Sequence, residues 1–240
     1  SSTKPIIIND ETSVNVSGDE PLIIHRNTLR PVCISTNRIA AVKKLLADTD
    51  TDIVISDDGL QHYKMDRDIE IVVFDGNRGI GNGLHLPAGP LRESLKRTDE
   101  ADFIVSSSKL TRLKTKHKNY LMNYQPIEWA RIKDNKRFSA NSWPLSKNVH
   151  AVAGIGNPAK FFNTLISLGL NPIRHSFPDH YQFKEEDLDF GDTLPIIMTE
   201  KDAVRCLEMN SNNLWYLSVE AKFENEDLAK NILNKLTINK

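Results

Sequence analysis

The 240-residue chain has only two cysteines, Cys33 and Cys206. They lie far apart and outside any C-x-x-C, which excludes a disulfide scaffold and a thiolate zinc site. No apolar run approaches the ~20 residues needed to cross a bilayer, and no charged-then-apolar leader opens the chain. Net charge is −1, so nothing global attracts nucleic acid. None of the 11 glycines precedes a lysine, so the G-x-x-x-x-G-K-[ST] phosphate loop is missing. A G-x-S-x-G elbow, an H-E-x-x-H pair and a base-stacking aromatic motif are missing too. What remains is an ordinary globular composition, 39 % hydrophobic and 26 % charged, long enough for two modest cores.

Apolar strands alternating with amphipathic helices signal buried parallel sheets. The first half reads as strands at 6–8, 31–35, 52–56, 69–75 and 102–106. The helix at 37–46 places Ile39, Val42, Leu45 and Leu46 on one face. This is an α/β, doubly wound pattern. Residues 109–148 have no sustained period; a basic run (Lys109, Arg112, Lys114, Lys116, His117, Lys118) precedes scattered aromatics, and the segment reads as a linker or hairpin. A second α/β pattern follows, with strands at 149–153, 194–199 and 214–219 and helices at 158–168, 200–209 and 225–236. The expected domains are therefore 1–108, 109–148 and 149–240.

Chemistry concentrates in a few places. Asp57 and Asp58 stand at the carboxyl end of the apolar run Ile53–Ser56, followed by Gln61 and His62. Paired acids there can hold a hard cation, as in a Walker B element, although Asp-Asp-Gly is also an ordinary turn. Gly76, Gly79, Gly81 and Gly83 open a long loop that ends in Leu86-Pro-Ala-Gly-Pro-Leu-Arg92-Glu93. Loops of this length between packed elements are usually functional. Glu93 is placed to complete a magnesium site and Arg92 to meet phosphate, against the plainer reading of a surface ion pair. Asp19 precedes Pro21 at a helix start and reads locally as a cap, while His180, beside Asp179, reads as a loop histidine.

Taken in order, Asp57-Asp-Gly-Leu-Gln-His62, Asp68–Asp75, Gly81–Glu93, Ala153-Gly-Ile-Gly-Asn-Pro158 and Met198-Thr-Glu-Lys-Asp-Ala203 resemble the tetraacyldisaccharide 4'-kinase family of lipid A synthesis. The resemblance runs from about Gly18 to Tyr216. It implies two Rossmann-like, P-loop-NTPase-type α/β domains joined by a β-ribbon hinge, the first incomplete here. It implies transfer of the ATP γ-phosphate, with Mg²⁺, to the 4'-hydroxyl of a tetraacylated disaccharide 1-phosphate, giving lipid IVA. Carried over by motif, Asp57, Asp58 and Glu93 are the metal-side acids, and Asp19 and His180 the catalytic dyad. Arg92, Arg38, Gln61, His62 and Asn82 fall on the phosphate and substrate side. The expected partners are the lipid substrate and the cytoplasmic face of the bacterial inner membrane, with no nucleic acid and no protein partner.

Because Asp19 and His180 fall in different expected domains, hinge closure is expected to assemble the dyad. The family's phosphate loop and membrane-associated helix precede the Gly18-Asp19 motif. With neither present and the opening Ser-Ser-Thr-Lys-Pro resembling mid-chain, the 240 residues are expected to be an inactive fragment. A non-catalytic nucleotide- or lipid-binding module and a metal-dependent phosphohydrolase are the alternatives. The basic run reads as a solvated hairpin face, with an anionic headgroup or the substrate's 1-phosphate as the sharper alternative.

Overall fold

The computed structural model describes residues 4–110, 113, 115–225 and 227–238. The chain divides into two compact units, one of Ser1–Ile55 and Pro126–Val219, the other of Ser56–Gln125 and Glu220–Lys240. This partition does not follow the consecutive segments 1–108, 109–148 and 149–240, because two long strands, β5 (Asn119–Arg131) and β10 (Leu214–Phe223), each contribute to both units.

In the first unit a sheet runs in the order β5, β10, β9 (Ile196–Thr199), β7 (Asn148–Ala153), β8 (Asn171–Ser176). The β10–β9, β9–β7 and β7–β8 pairs are parallel. β6 (Arg137–Ser139) folds back antiparallel on β5. Every β7 residue from Val149 to Ala153 is buried, as an interior parallel strand requires. The crossover helix α5 (Pro158–Ser167) starts with Pro158 behind the Asn157 cap, whose Oδ1 accepts from Lys160 N, and drives Phe161, Phe162 and Leu165 into the core. There they meet Trp129, Val149, Ile197 and Trp215. A satellite core of Ile8, Leu22 and Val204 receives α2 (Asp19–Thr28). Here also lie α1 (Val14–Ser17), α3 (Arg38–Asp48), α6 (Glu200–Ala203) and the short strands β1 (Ile6–Ile7) and β2 (Cys33–Ile34).

The second unit pairs β3 (Ile71–Phe74), β4 (Phe103–Ser106) and the first part of β5 in parallel. Phe103, Val105, Tyr120, Met122 and Leu228 form its core, with Leu228 supplied by α7 (Asp227–Ile238). The four-residue helix α4 (Arg97–Glu100) precedes β4.

The α/β class is as expected, but local elements differ. β1 and β2 are antiparallel rather than part of a parallel sheet. The expected strand at 52–56 is irregular backbone, with Ile53 49 % and Ile55 91 % exposed, because no neighbouring strand pairs with it among the described residues. The helix expected over 200–209 stops at Ala203, where shorter-range turn bonds such as Arg205 N–H to Asp202 O take over. No helix among the described residues is long and apolar enough to cross a membrane.

Candidate active site

Open parallel sheets present ligand-binding groups where their strands end at the carboxyl side, and in the first unit three strand ends converge. β7 runs into Gly154, β8 runs into Phe177–His180, and β9 ends at Thr199 just before Asp202 and Arg205. Phe177 N–H bonds Ala153 O at 2.9 Å and His180 N–H bonds Gly154 O at 3.3 Å, pinning the histidine loop to the end of β7. His180 adopts φ +61°, a left-handed conformation uncommon outside glycine but one that asparagine, aspartate and histidine take more often than other residues.

Asp19 reaches the same place from α2. Gly18, at φ +78°, turns the chain into the helix. Asp19 is then the first helical residue, and its side chain does not cap the helix but points inward, leaving the residue 7 % exposed. The local cap reading fails because a stronger partner waits in the interior. Arg205 Nε donates to Asp19 Oδ1 at 2.8 Å, and Arg205 Nη2 donates to Oδ2. His180 Nδ1 stands 2.9 Å from the same Oδ2.

Burial alone would push the Asp19 carboxyl up, but the Arg205 guanidinium and the His180 contact outweigh it and hold the group below its ordinary value. A carboxylate only accepts hydrogen bonds, so Nδ1 carries the proton in this contact, and in the neutral ring Nε2 then carries the lone pair. The 3.1 Å approach of Arg205 Nη2 to Nδ1 is then a contact between donors, not a bond. The His180 side chain is 63 % exposed against 6 % for Asp19, so the acid is the inner member of the pair and the imidazole the outer.

The resemblance singles out both residues but not how they come together. Asp19 and His180 belong to one compact unit and touch in this structure, so the expectation that closure of separate domains brings them together is corrected. Chain segments 161 positions apart share one core because the chain returns from β5 to build the sheet beside α2. Arg205 and Asp202 were missed. The only signal is that Asp202 lies within, and Arg205 just after, the segment Met198–Ala203 that carries part of the family resemblance.

The remaining candidates lie elsewhere. Asp57 and Asp58 occupy a turn in the second unit, Asp58 at φ +46°. Arg67 Nη1 braces this turn, donating to Gly59 O at 3.0 Å and Leu60 O at 3.1 Å. Asp58 Oδ2 lies 3.5 Å from Arg92 Nη1, both side chains exposed, a weak attraction. Glu93 Oε2 lies 3.5 Å from Arg97 Nε, whereas its Oε1 is buried without a hydrogen-bond partner. Gln61 and His62 follow on the same turn, closed by His62 N–H to Gly59 O at 3.0 Å.

Asn82 uses both ends of its amide inside the glycine loop, donating to Ala88 O at 2.8 Å and accepting from Leu84 N–H at 3.1 Å. Arg38 is the first residue of α3, in the first unit. In the basic run, Arg112 and Lys114 lie outside the described residues, Lys118 pairs with Asp227 at 2.6 Å, and His117 Nε2 lies 3.1 Å from Asp99 O.

No three His, Cys, Asp or Glu side chains gather into a metal cage among the described residues, so Asp57, Asp58 and Glu93 do not form a closed three-acid site. Magnesium, however, is commonly held by one or two carboxylates with water and phosphate oxygens completing the shell. The unpartnered Oε1 of Glu93 and the exposed Asp58 fit that open kind of site.

The fold and an acid–imidazole pair at converging strand ends define an α/β protein of the kind that binds its ligands where parallel strands end. A solved structure of LpxK from Aquifex aeolicus, described as an "apo" form in complex with ATP, matches 98 % of this chain and 75 % of its own at TM-score 0.82 and 25 % identity. The family model for tetraacyldisaccharide-1-P 4'-kinase matches residues 1–237. The tetraacyldisaccharide 4'-kinase of Ruthia magnifica is 45 % identical over 231 residues, 96 % of this chain and 70 % of that protein. The Hahella chejuensis kinase of the same name is 43 % identical over 222 residues, 92 % of this chain and 64 % of that one. The chain belongs to the tetraacyldisaccharide 4'-kinase family. It spans roughly two thirds of the length of these relatives.

Proposed function

We propose that the protein of which these residues form part transfers the γ-phosphate of ATP to the 4'-hydroxyl of a tetraacyldisaccharide 1-phosphate, giving lipid IVA. The observation that carries this reading is the Asp19–His180 contact of 2.9 Å at three strand ends, in a chain that the family model matches over residues 1–237. Phosphoryl transfer asks little covalent work of a protein; positioning the acceptor and neutralising charge dominate.

Asp19 is a poor proton acceptor, since Arg205 and His180 occupy its oxygens and hold it ionised below its ordinary value. His180 Nε2, 4.0 Å from Asp179 Oδ2, is the ring nitrogen not engaged by Asp19, and in the neutral ring it carries the lone pair, so His180 takes the 4'-hydroxyl proton as the phosphoryl bond forms. Asp19 fixes the tautomer that makes this possible. Asp58 and Glu93, with Asp57, are the side chains that would hold Mg²⁺, which when bound neutralises phosphate charge. Arg92, Arg38, Gln61 and His62 serve the phosphate and substrate side, and Asn82 acts by shaping its loop. A lipid acceptor phosphorylated from ATP suits work at the cytoplasmic face of the inner membrane.

The test uses the protein encoded by the complete reading frame, ATP and the tetraacylated disaccharide 1-phosphate. The expected result is a 4'-phosphorylated lipid with stoichiometric ADP. Phosphate release without phosphorylated lipid would favour a hydrolase, and nucleotide or lipid binding without turnover a binding module; either overturns the reading.

A further inference from the structure

The segments at 153–158 and 198–203 carry the family resemblance, yet supply neither member of the acid–imidazole pair. Their ends converge on one buried guanidinium. Arg205 is fully buried at its side chain. Its Nε and Nη2 reach the two oxygens of Asp19, and its Nη1 lies 3.2 Å from Tyr181 O and 3.3 Å from Asp202 Oδ1.

Asp202 is itself 0 % exposed and tied to two strand ends. Its Oδ2 accepts from Gly154 N–H at 3.1 Å, at the end of β7, and from Thr199 Oγ1 at 2.6 Å, at the end of β9. Position 154 is tight, since a Cβ there would lie 3.0 Å from both Asp202 Oδ1 and Pro178 O. The rigid sheet thus holds Asp202, Asp202 steadies Arg205, Arg205 grips Asp19 and Asp19 meets His180.

We propose that Arg205, steadied by Asp202, is a positioning residue for the transfer, its planar guanidinium fixing the Asp19 carboxylate and so the direction in which His180 presents Nε2. The proposal rests on the reading of Asp19 and His180 given above. A planar five-donor fork holds a carboxylate in plane and angle, whereas a lysine ammonium supplies charge without orientation. Misplacement of a reacting group by about 1 Å can cost on the order of 10²-fold in rate. The fork accordingly matters through geometry, and charge at position 205 alone is insufficient.

The test compares the parent protein from the complete reading frame with Arg205→Lys, His180→Ala and the double variant. kcat and KM for ATP are measured for each, with thermal unfolding to follow the fold. Arg205→Lys should lower kcat by about tenfold or more with KM for ATP within about twofold of the parent. In the His180→Ala background the same substitution should cost less than about threefold further, because it acts through the histidine. A merely structural arginine would lower stability without this non-additivity.

Turnover by Arg205→Lys within about twofold of the parent, beside a crippled His180→Ala, overturns the proposal alone. Losses that multiply in the double variant overturn it too. Full turnover by His180→Ala instead overturns the reading of the pair on which the proposal stands. Should lysine leave the buried acids too poorly paired to fold, Asp202→Asn keeps the shape and removes the charge facing Nη1. It should lower kcat about two- to fivefold with the same non-additivity, and unchanged turnover would count against the proposal.

Discussion

Replacing His180 by alanine should separate chemistry from folding. The side chain is 63 % exposed, so truncation removes little buried surface. The backbone bonds from His180 N–H to Gly154 O at 3.3 Å and Asp179 Oδ1 at 3.0 Å survive it. Alanine keeps the Cβ already accommodated at φ +61°. Asp19 loses one of its hydrogen-bonding partners and keeps Arg205, a cost of about 0.5–1.5 kcal/mol. Loss of a general base costs about 10²–10⁴ in rate, or roughly 3–5 kcal/mol on the barrier at ~1.4 kcal/mol per tenfold. The catalytic effect therefore exceeds the stability effect severalfold. Steady-state assays should show kcat reduced at least about a hundredfold and KM for ATP within about threefold of the parent. A variant that turns over like the parent, or that loses activity only in step with a lowered melting temperature, refutes the role given to His180.

Three further expectations concern the metal-side acids, the core and pH. Asp58→Asn and Glu93→Gln should each raise the Mg²⁺ concentration for half-maximal turnover severalfold while His180→Ala leaves it alone; an unchanged requirement in both acid variants counts against that site. Leu165, fully buried in the first unit's core, should cost about 2.7–5 kcal/mol as alanine, lowering the melting temperature by on the order of 10 °C; a shift of about a degree would mean the site collapses freely around the loss. Burial first, and the neighbouring His150, hold His175 below its ordinary 6.5, so the unfolded chain binds a proton there first and stability falls as pH drops below that value. His175→Asn should flatten this decline in urea midpoints, and an identical profile would refute it. Asp19 works at the other end: its lowered value stabilises the fold above its ordinary 3.8, and the benefit is lost as pH falls through the lowered value.

Legibility followed the strength of the hydrophobic signal. β7 and α5 were readable almost to the residue because a five-residue buried run and an amphipathic face leave few alternatives. β8 was not, since it reads Asn-Pro-Ile-Arg-His-Ser and leaves four of its six residues exposed. β5 was hidden by Pro126 and by alternation that breaks where the strand passes from one unit to the other. The run Ile53–Ser56 misled in the opposite direction. Its residues are as apolar as any strand's, but a parallel strand is defined by its neighbours, which single-segment periodicity cannot supply.

The site shows why function was less legible than fold. Asp19 and His180 are each unremarkable in local sequence, one at a helix start and the other in a loop. What sets them apart is a partner 186 positions from Asp19, an arginine following a helix of four residues. Burying a guanidinium between two carboxylates is poor value as stabilisation, since desolvation consumes most of the Coulombic gain and an apolar substitute of similar volume often serves as well. A fold that nonetheless encloses Arg205 and Asp202 entirely, and ties Asp202 to two strand ends, is keeping geometry rather than energy. That geometry ends at His180, whose side chain is exposed, and there the proposed transfer would deliver its proton.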